Sequence, residues 1–476
     1  MDSFEKMVLF VAALTSFFAV FLAGAVMIIV PTLATEFGMN DIVQNYVSVI
    51  FLLAVAAVTV PAGQISGKYG IKRTMLIGII IFIISSIVCI FSVSQYMFLA
   101  CRVFQGIGAG FINVAAVAMV VSAFKPEERG QALGLTVVGV FLATSLSSPI
   151  GGFLNTLLGW RSIFYISIPF LIICMALLAV KIDKEWAEFA DYPVDLKGCI
   201  LYAVGIVLFI IGFTMLNQLI GVILTVVGLI LIAVFVITEL KVKYPVFNVR
   251  LFKNPKFASA NFAALSGYLA TMAITTIINY YLQYIRQLDS TQAGLVLLVT
   301  PLLQFIMAPI AGRLSDSINP QILSAIGIAC GGVGIALISF TNATTPLPLL
   351  MFAMGLQGFG FGLFSAPNSN TIMGSVPPEE TTTASAAIAT MRVIGQSLSL
   401  GMFTLVFAFI MGNVPIIPEY YPLLLLSCQV AAGICATLCI LSIFASLIGL
   451  KSKGYYDKGA PRAQPPTKLK RKRPSL

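Results

Sequence analysis

The sequence predicts an all-α polytopic membrane protein: fourteen transmembrane helices forming two pseudo-symmetric six-helix bundles, with two more helices inserted between them. Three observations carry that reading. Of 476 residues, 59% are hydrophobic and 10% charged, against about 25% charged in soluble domains, so lipid has to solvate most of the surface. Fourteen apolar stretches are each long enough to cross about 30 Å of hydrocarbon as a helix. Finally, three short words occur twice in the same order. Ala62-Gly63-Gln64-Ile65-Ser66 returns as Ala311-Gly312-Arg313-Leu314-Ser315, Gln105-Gly106-x-Gly108-x-Gly110 as Gln357-Gly358-x-Gly360-x-Gly362, and Pro126-Glu127-Glu128 as Pro378-Glu379-Glu380, at offsets of 249, 252 and 252.

The first span is the apolar run 8–30 behind the opening MDSFEKM, too long for a cleaved signal peptide. The next five follow at 44–66, 74–94, 96–121, 131–155 and 162–180. A shorter pair lies at 199–216 and 219–238, and six more at 257–283, 293–312, 321–340, 347–371, 383–411 and 422–449. Loop charge tests this count. With a cytoplasmic N-terminus, the inward loops hold Lys68, Lys72, Arg73, Lys125, Arg129, Lys181, Lys184, Lys197, Lys241, Lys243, Arg250, Lys253, Lys256 and Arg313, whereas the outward loops hold only Arg161 and Arg286. A shift of one span would scramble that asymmetry, so both termini are expected to be cytoplasmic.

The repeat divides the chain into an N-terminal six-helix bundle (1–182), two inserted helices with their loops (183–256), a C-terminal bundle (257–450) and a basic tail (451–476). Each half has an even number of spans, so the copies share one orientation, and their pseudo-two-fold axis runs along the membrane normal, as in parallel transporter repeats. The tail holds nine of the 28 basic residues, including Lys468-Leu469-Lys470-Arg471-Lys472-Arg473 after a Pro-rich stretch. It is expected to be disordered and to touch anionic headgroups; nucleic acid is not an expected partner.

Several words resemble those of the major facilitator superfamily. Gly63-Gln64-Ile65-Ser66-Gly67-Lys68-Tyr69-Gly70-Ile71-Lys72-Arg73 is similar to that superfamily's signature loop between spans two and three, and Arg102-Val103-Phe104-Gln105-Gly106-Ile107-Gly108-Ala109-Gly110 to its fourth-helix motif. Gly159-Trp160-Arg161-Ser162-Ile163-Phe164 with Pro169, Pro245 to Asn254, and Gln292-Ala293-Gly294-Leu295 with Pro301 resemble the fourteen-helix drug:proton antiporter branch. The resemblance covers the chain to about residue 450. It implies a major-facilitator-type fold, a plasma-membrane location, small-molecule efflux and protons as coupling ion. Three positions depart from the pattern. Gly67 stands where the signature loop has an acid, although its second-half counterpart Asp316 is present. Leu22 occupies the place of a first-helix Asp, and the fifth-helix motif begins Ser147-Ser148.

Within the membrane, none of the 18 acidic residues sits near the middle of a span, but Arg102 and Arg392 do. A mid-membrane charge costs about 2.5–3.5 kcal/mol on insertion scales, so both are expected to face protein or a water-filled cavity. Arg102, Gln105 and Asn113 share one helical face, as do Ser385, Arg392 and Gln396. Asn279 and Gln283 form an i, i+4 pair, and Gln357 and Asn368 are eleven apart. Four spans thus each present a polar stripe, expected to line a substrate cavity. The alternative is amide hydrogen bonding between helices, typically about 0.6 kcal/mol each.

The signature-loop positions Gly63, Lys68, Gly70, Lys72 and Arg73, with Glu128, Arg129 and Arg313, are expected to form a cytoplasmic gate. In it the basic side chains would pair across to Asp316 and Glu379, in contacts weak enough to reverse. The G-x-G-x-G runs follow no strand and are not the dinucleotide fingerprint, so they read as close helix packing. Histidine is absent and no two of the eight cysteines form a CxxC pair; no metal, cofactor or enzymatic site is expected. The resulting expectation is a monomeric secondary active transporter, most simply a proton-coupled exporter of amphipathic compounds. Export of anionic or neutral metabolites using Arg102 and Arg392 is the alternative, and a non-transporting sensor or enzyme is the reading from another class.

Overall fold

A computed structural model describes residues 2–39, 41–188, 193–288, 290–412, 418–448 and 450. The expected tail, 451–476, lies outside the described residues. The helices are α1 (Ser3–Phe37), α2 (Asp41–Tyr69), α3 (Ile71–Ile90), α4 (Gln95–Ala123), α5 (Arg129–Leu158), α6 (Ser162–Lys181), α7 (Leu196–Thr214) and α8 (Leu219–Glu239). They continue with α9 (Pro255–Tyr280), α10 (Ser290–Leu297), α11 (Val299–Ser317), α12 (Pro320–Ser339), α13 (Leu347–Gly374), α14 (Thr381–Ile410) and α15 (Tyr421–Ile448). Helices α10 and α11 together make one span, so the described residues contain fourteen stretches long and apolar enough to cross a membrane.

Local sequence sets the helix ends. α1 begins with a capping box in which the Asp2 carboxylate accepts from Glu5 N at 2.7 Å and Glu5 accepts from Asp2 N at 2.8 Å. It stops at Gly38, where φ is +65°. α9 and α12 both open on Asn-Pro, the Asn254 and Asn319 side chains accepting from the backbone N–H two residues on. Prolines inside α1, α2, α5, α6, α11 and α13 are retained, because neighbouring helices satisfy or shield the backbone groups that they free.

The glycine runs pack helices together. A Cβ on Gly108 of α4 would lie 2.8 Å from the Gly78 carbonyl oxygen of α3, and one on Gly360 of α13 would strike the backbone of Gly331 on α12. The inserted pair α7 and α8 pack closely on each other, a Cβ on Gly228 lying 2.4 Å from Phe209 N. The pair also leans on both bundles. Phe213 of α7 sits against Gly401 of α14, and Tyr202 of α7 donates to the Ala56 carbonyl of α2 at 3.1 Å.

Candidate functional site

The two bundles meet along two seams at the end that carries the Lys/Arg-rich loops, here called the basic end. The first seam joins α5 and α11. A short turn, Pro126–Glu128, starts α5 at Arg129, leaving the first backbone N–H groups without intrahelical acceptors. Asp316, from the other bundle, accepts from Gly130 N at 2.7 Å and from Gln131 N at 2.8 Å. A carboxylate at a helix N-terminus also meets the positive end of the macrodipole. Below this cap the helices touch backbone to backbone: a Cβ on Gly312 would lie 2.5 Å from Gly130 O and 2.9 Å from Gly134 Cα.

The second seam joins α2 and α14. The repeat offsets map Gly312 onto Gly63, Gly130 onto Thr382 and Gly134 onto Ala386. Those mapped residues do meet, a Cβ on Gly63 lying 2.7 Å from Ala386 Cβ and 3.3 Å from Thr382 O. Their packing is looser, because Thr382 and Ala386 carry side chains where the first seam has glycines. Side-chain hydrogen bonds fill in: Thr59 Oγ1 and Thr390 Oγ1 are 2.9 Å apart, with Tyr202 Oη of α7 3.3 and 3.5 Å from them. Nearer the basic end, Asn248 donates to Glu380 at 2.6 Å, and Gln64 accepts from Asp195 N at 3.3 Å.

The residues expected to form a gate thus divide differently from the expectation. Asp316 pairs with the start of α5, not with Lys68, Lys72 or Arg73. Lys68 lies 5.4 Å over the Tyr69 ring. Lys72 N donates to Glu185 at 2.9 Å, Lys72 Nζ donates to Ala179 O at 3.1 Å, and Arg73 lies 3.7 Å from Glu185, all partners from α6 or the segment that follows it. Burial pushes the Glu185 carboxyl upward, with the Lys72 N–H and the Arg73 charge opposing. The physical reason is placement: Lys72 and Arg73 open α3, which faces the segment after α6 and not the opposite bundle. Gly70 caps α3 at φ +106°, and a Cβ there would collide with the Glu185 carboxylate. Arg129 donates to Val121 O and Phe124 O at 3.1 and 3.4 Å. Glu128 supplies no side-chain cap to α5, Arg313 is exposed, and so is Glu379.

The expected cavity residues also part company. Arg102 is 1% exposed and sealed inside the first bundle. Its Nε donates to Val47 O at 3.2 Å, its Nη1 to Gln105 Oε1 at 2.8 Å, and its guanidinium lies 4.4 Å from the Phe51 ring centre. Gln105 in turn donates to Ser86 Oγ at 2.9 Å. This polar face therefore points at α2 and α3, not at the space between bundles, because glycines at 106, 108 and 110 draw both neighbours onto that side of α4. Gln357 and Asn368 are buried too, Asn368 donating to Ala260 O at 3.1 Å. Asn113, Asn279, Gln283 and Arg392 remain partly exposed. Gln283 donates to Asn279 at 2.8 Å, whereas Arg392 makes no hydrogen bond or ion pair among the described residues.

Two repeated six-span bundles that meet through polar contacts at one end of a membrane-spanning shell define a membrane transporter. Residues 10–400 match the Major Facilitator Superfamily, and the chain belongs to it. It is 29% identical to the riboflavin transporter RibZ of Clostridioides difficile (strain 630) over 378 residues, 79% of this chain and 83% of that protein. It is 25% identical over 401 residues to the multidrug resistance protein Stp of Mycobacterium tuberculosis (strain ATCC 25618 / H37Rv), covering 82% of this chain and 74% of that one. Among solved structures, the human organic anion transporter MFSD10 superposes with a TM-score of 0.66 at 15% identity, over 94% of this chain and all of that one. The protein is a multi-pass secondary transporter whose substrates are small molecules.

Glu185, Glu188 and Tyr202 escaped the motif reading because they lie after α6 or in the inserted helices, outside the repeated words. The one sequence signal pointing toward them was the unmatched Gly67.

Proposed function

We propose that this chain exports small amphipathic compounds from the cytoplasm across the plasma membrane by alternating access, driven by the proton gradient, with the basic end and both termini cytoplasmic. The observation that carries the alternating-access part is the pair of repeat-related seams at the basic end. They are held by a helix cap and hydroxyl contacts, each worth about 0.5–2 kcal/mol, small enough to break and remake. Export is supported by a relative named as a multidrug resistance protein, and a small organic cargo by one named as a riboflavin transporter.

One observation favours neutral or anionic cargo over cations. Arg392 is the partly exposed, unpaired charge in the middle of α14, and no carboxylate lies near the middle of any span to attract a cation. On this reading Asn113, Asn279, Gln283 and Arg392 contact substrate, while Arg102, Gln105, Gln357 and Asn368 hold the bundles in shape. The test is transport by purified protein in liposomes of riboflavin, an organic anion and ethidium, with and without an imposed pH gradient. Riboflavin or anion transport that depends on the gradient is expected. Transport of ethidium alone would overturn the cargo assignment, and indifference to the gradient would overturn proton coupling.

A further inference from the structure

The repeat makes a specific demand that the chain does not meet in the expected way. In the α5/α11 seam the carboxylate that caps α5 is Asp316, one residue beyond the repeated Ala-Gly-x-x-Ser word. The same place after the first copy is Gly67. The start of α14 would therefore lack its cap, yet it has one. Thr382 N, the repeat partner of Gly130 N, donates to both Glu188 carboxylate oxygens at 3.1 Å, and Thr382 Oγ1 donates to one of them at 2.6 Å.

We propose that Glu188, carried by the segment after α6, is the positioning residue that latches the α2/α14 seam, standing in for the acidic side chain absent at Gly67. The backbone supports this assignment. Glu188 N donates to Gly67 O at 2.8 Å, so the segment is pinned to the very residue it replaces. Ile71 N donates to Trp186 O at 2.9 Å, and Glu185 accepts from Lys72 N, laying residues 185–188 across the loop between α2 and α3. The Thr382 hydroxyl, absent at Gly130, provides the second donor, in place of the Gln131 N–H of the first seam, for a carboxyl group arriving from a different direction. Lys72, Arg73 and Gly70 then acquire a role: they hold the strap that carries the latch.

The surroundings of Glu188 make the latch sensitive to pH. Burial, with Glu379 and Glu380 facing it from the turn before α14, pushes its carboxyl up to about 8 against the Thr382 donors. From α2 the adjacent residue is uncharged Gly67, and the nearest cation on that helix, Lys68, lies over Tyr69. An exposed glutamate titrates near 4.3, so the closed seam binds the proton more tightly than the open one. Closure is thus most favoured at low pH and weakens as pH rises through about 8.

This inference rests on the basic end opening and closing, not on the identity of substrate or coupling ion. The experiment therefore uses no substrate and no gradient. In full-length protein with its native cysteines replaced by serine, spectroscopic labels at Lys125→Cys and Ser317→Cys, both exposed and on opposite bundles, report the closed-to-open ratio in liposomes from pH 5 to 9. The expected result is at least a tenfold fall in that ratio for Glu188→Ala and its recovery when Gly67→Asp is added. Glu188→Gln, which keeps an acceptor but cannot ionise, should stay closed and flatten the pH profile. An unchanged ratio in Glu188→Ala, no recovery with Gly67→Asp, or a wild-type pH slope retained in Glu188→Gln would each overturn the proposal.

Discussion

Gly312→Ala should hold the basic end open. The added Cβ would lie 2.5 Å from Gly130 O and 2.9 Å from Gly134 Cα, where ordinary contacts begin at 3.4 Å. Both obstacles are backbone atoms, so no side chain can rotate aside, and α5 and α11 must separate by about 1 Å. Overpacking of this kind costs about 1–3 kcal/mol. The open state, with the helices already apart, is unaffected by it. At 1.4 kcal/mol per decade, the closed-to-open ratio falls roughly 5- to 150-fold. The Lys125→Cys/Ser317→Cys distance pair reads that ratio directly. Gly63→Ala serves as the internal comparison, since its new methyl would press on the Ala386 side chain at 2.7 Å and on Thr382 O at 3.3 Å, and its effect should be smaller. A Gly312→Ala ratio within twofold of wild type, or a larger effect from Gly63→Ala, would refute the backbone-contact argument.

Asp316→Asn keeps one acceptor oxygen but loses the charge and the second, a loss of about 0.5–2 kcal/mol in helix capping; transport should fall while the amount inserted in membranes stays constant. Asp316→Lys should be more severe, and normal transport by that variant would remove Asp316 from the gate. Arg102→Lys retains the charge but gives up the Gln105 hydrogen bond and the planar contact with Phe51, lowering stability by about 1–3 kcal/mol in a thermal melt. Substrate affinity of the surviving protein should be unchanged; weakened affinity without loss of stability would return Arg102 to the cavity. Tyr202→Phe removes the hydroxyl shared by Ala56, Thr59 and Thr390, which should cost about 0.5–1.5 kcal/mol of seam closure. An unaltered distance distribution would show that the inserted helices play no part in closing.

Much of the fold was legible because lipid imposes one solution on long apolar runs, and the span count follows from composition and length. The seams were half legible. Repeated glycines at 63 and 312 mark the contact faces, and the charge of Asp316 marks it for a contact with the other half. Its partner was misjudged because opposite charges invite pairing in sequence, while the backbone N–H groups that start a helix carry no letter of their own. Arg102 was read correctly as needing shelter. Helical spacing gave the face on which it lies, but cannot say which neighbouring helix that face meets. Glu188 was illegible for a third reason: its role depends on a loop path that no periodicity encodes.

The inserted helices have a consequence for how a fat-soluble compound reaches the interior. Seen from the bilayer, α7 and α8 stand between lipid and the α2/α14 seam, with Tyr202 plugged into it, whereas no inserted helix packs beside the α5/α11 seam among the described residues. When the basic end parts, a molecule dissolved in the adjoining leaflet meets a wall on one flank and a slot on the other. If the proposed export draws its cargo from the membrane, recruitment is one-sided, and a photoreactive lipid should mark the Gly134 side of the protein while sparing the Thr390 side. A shell built from a duplicated half thus has a front and a back.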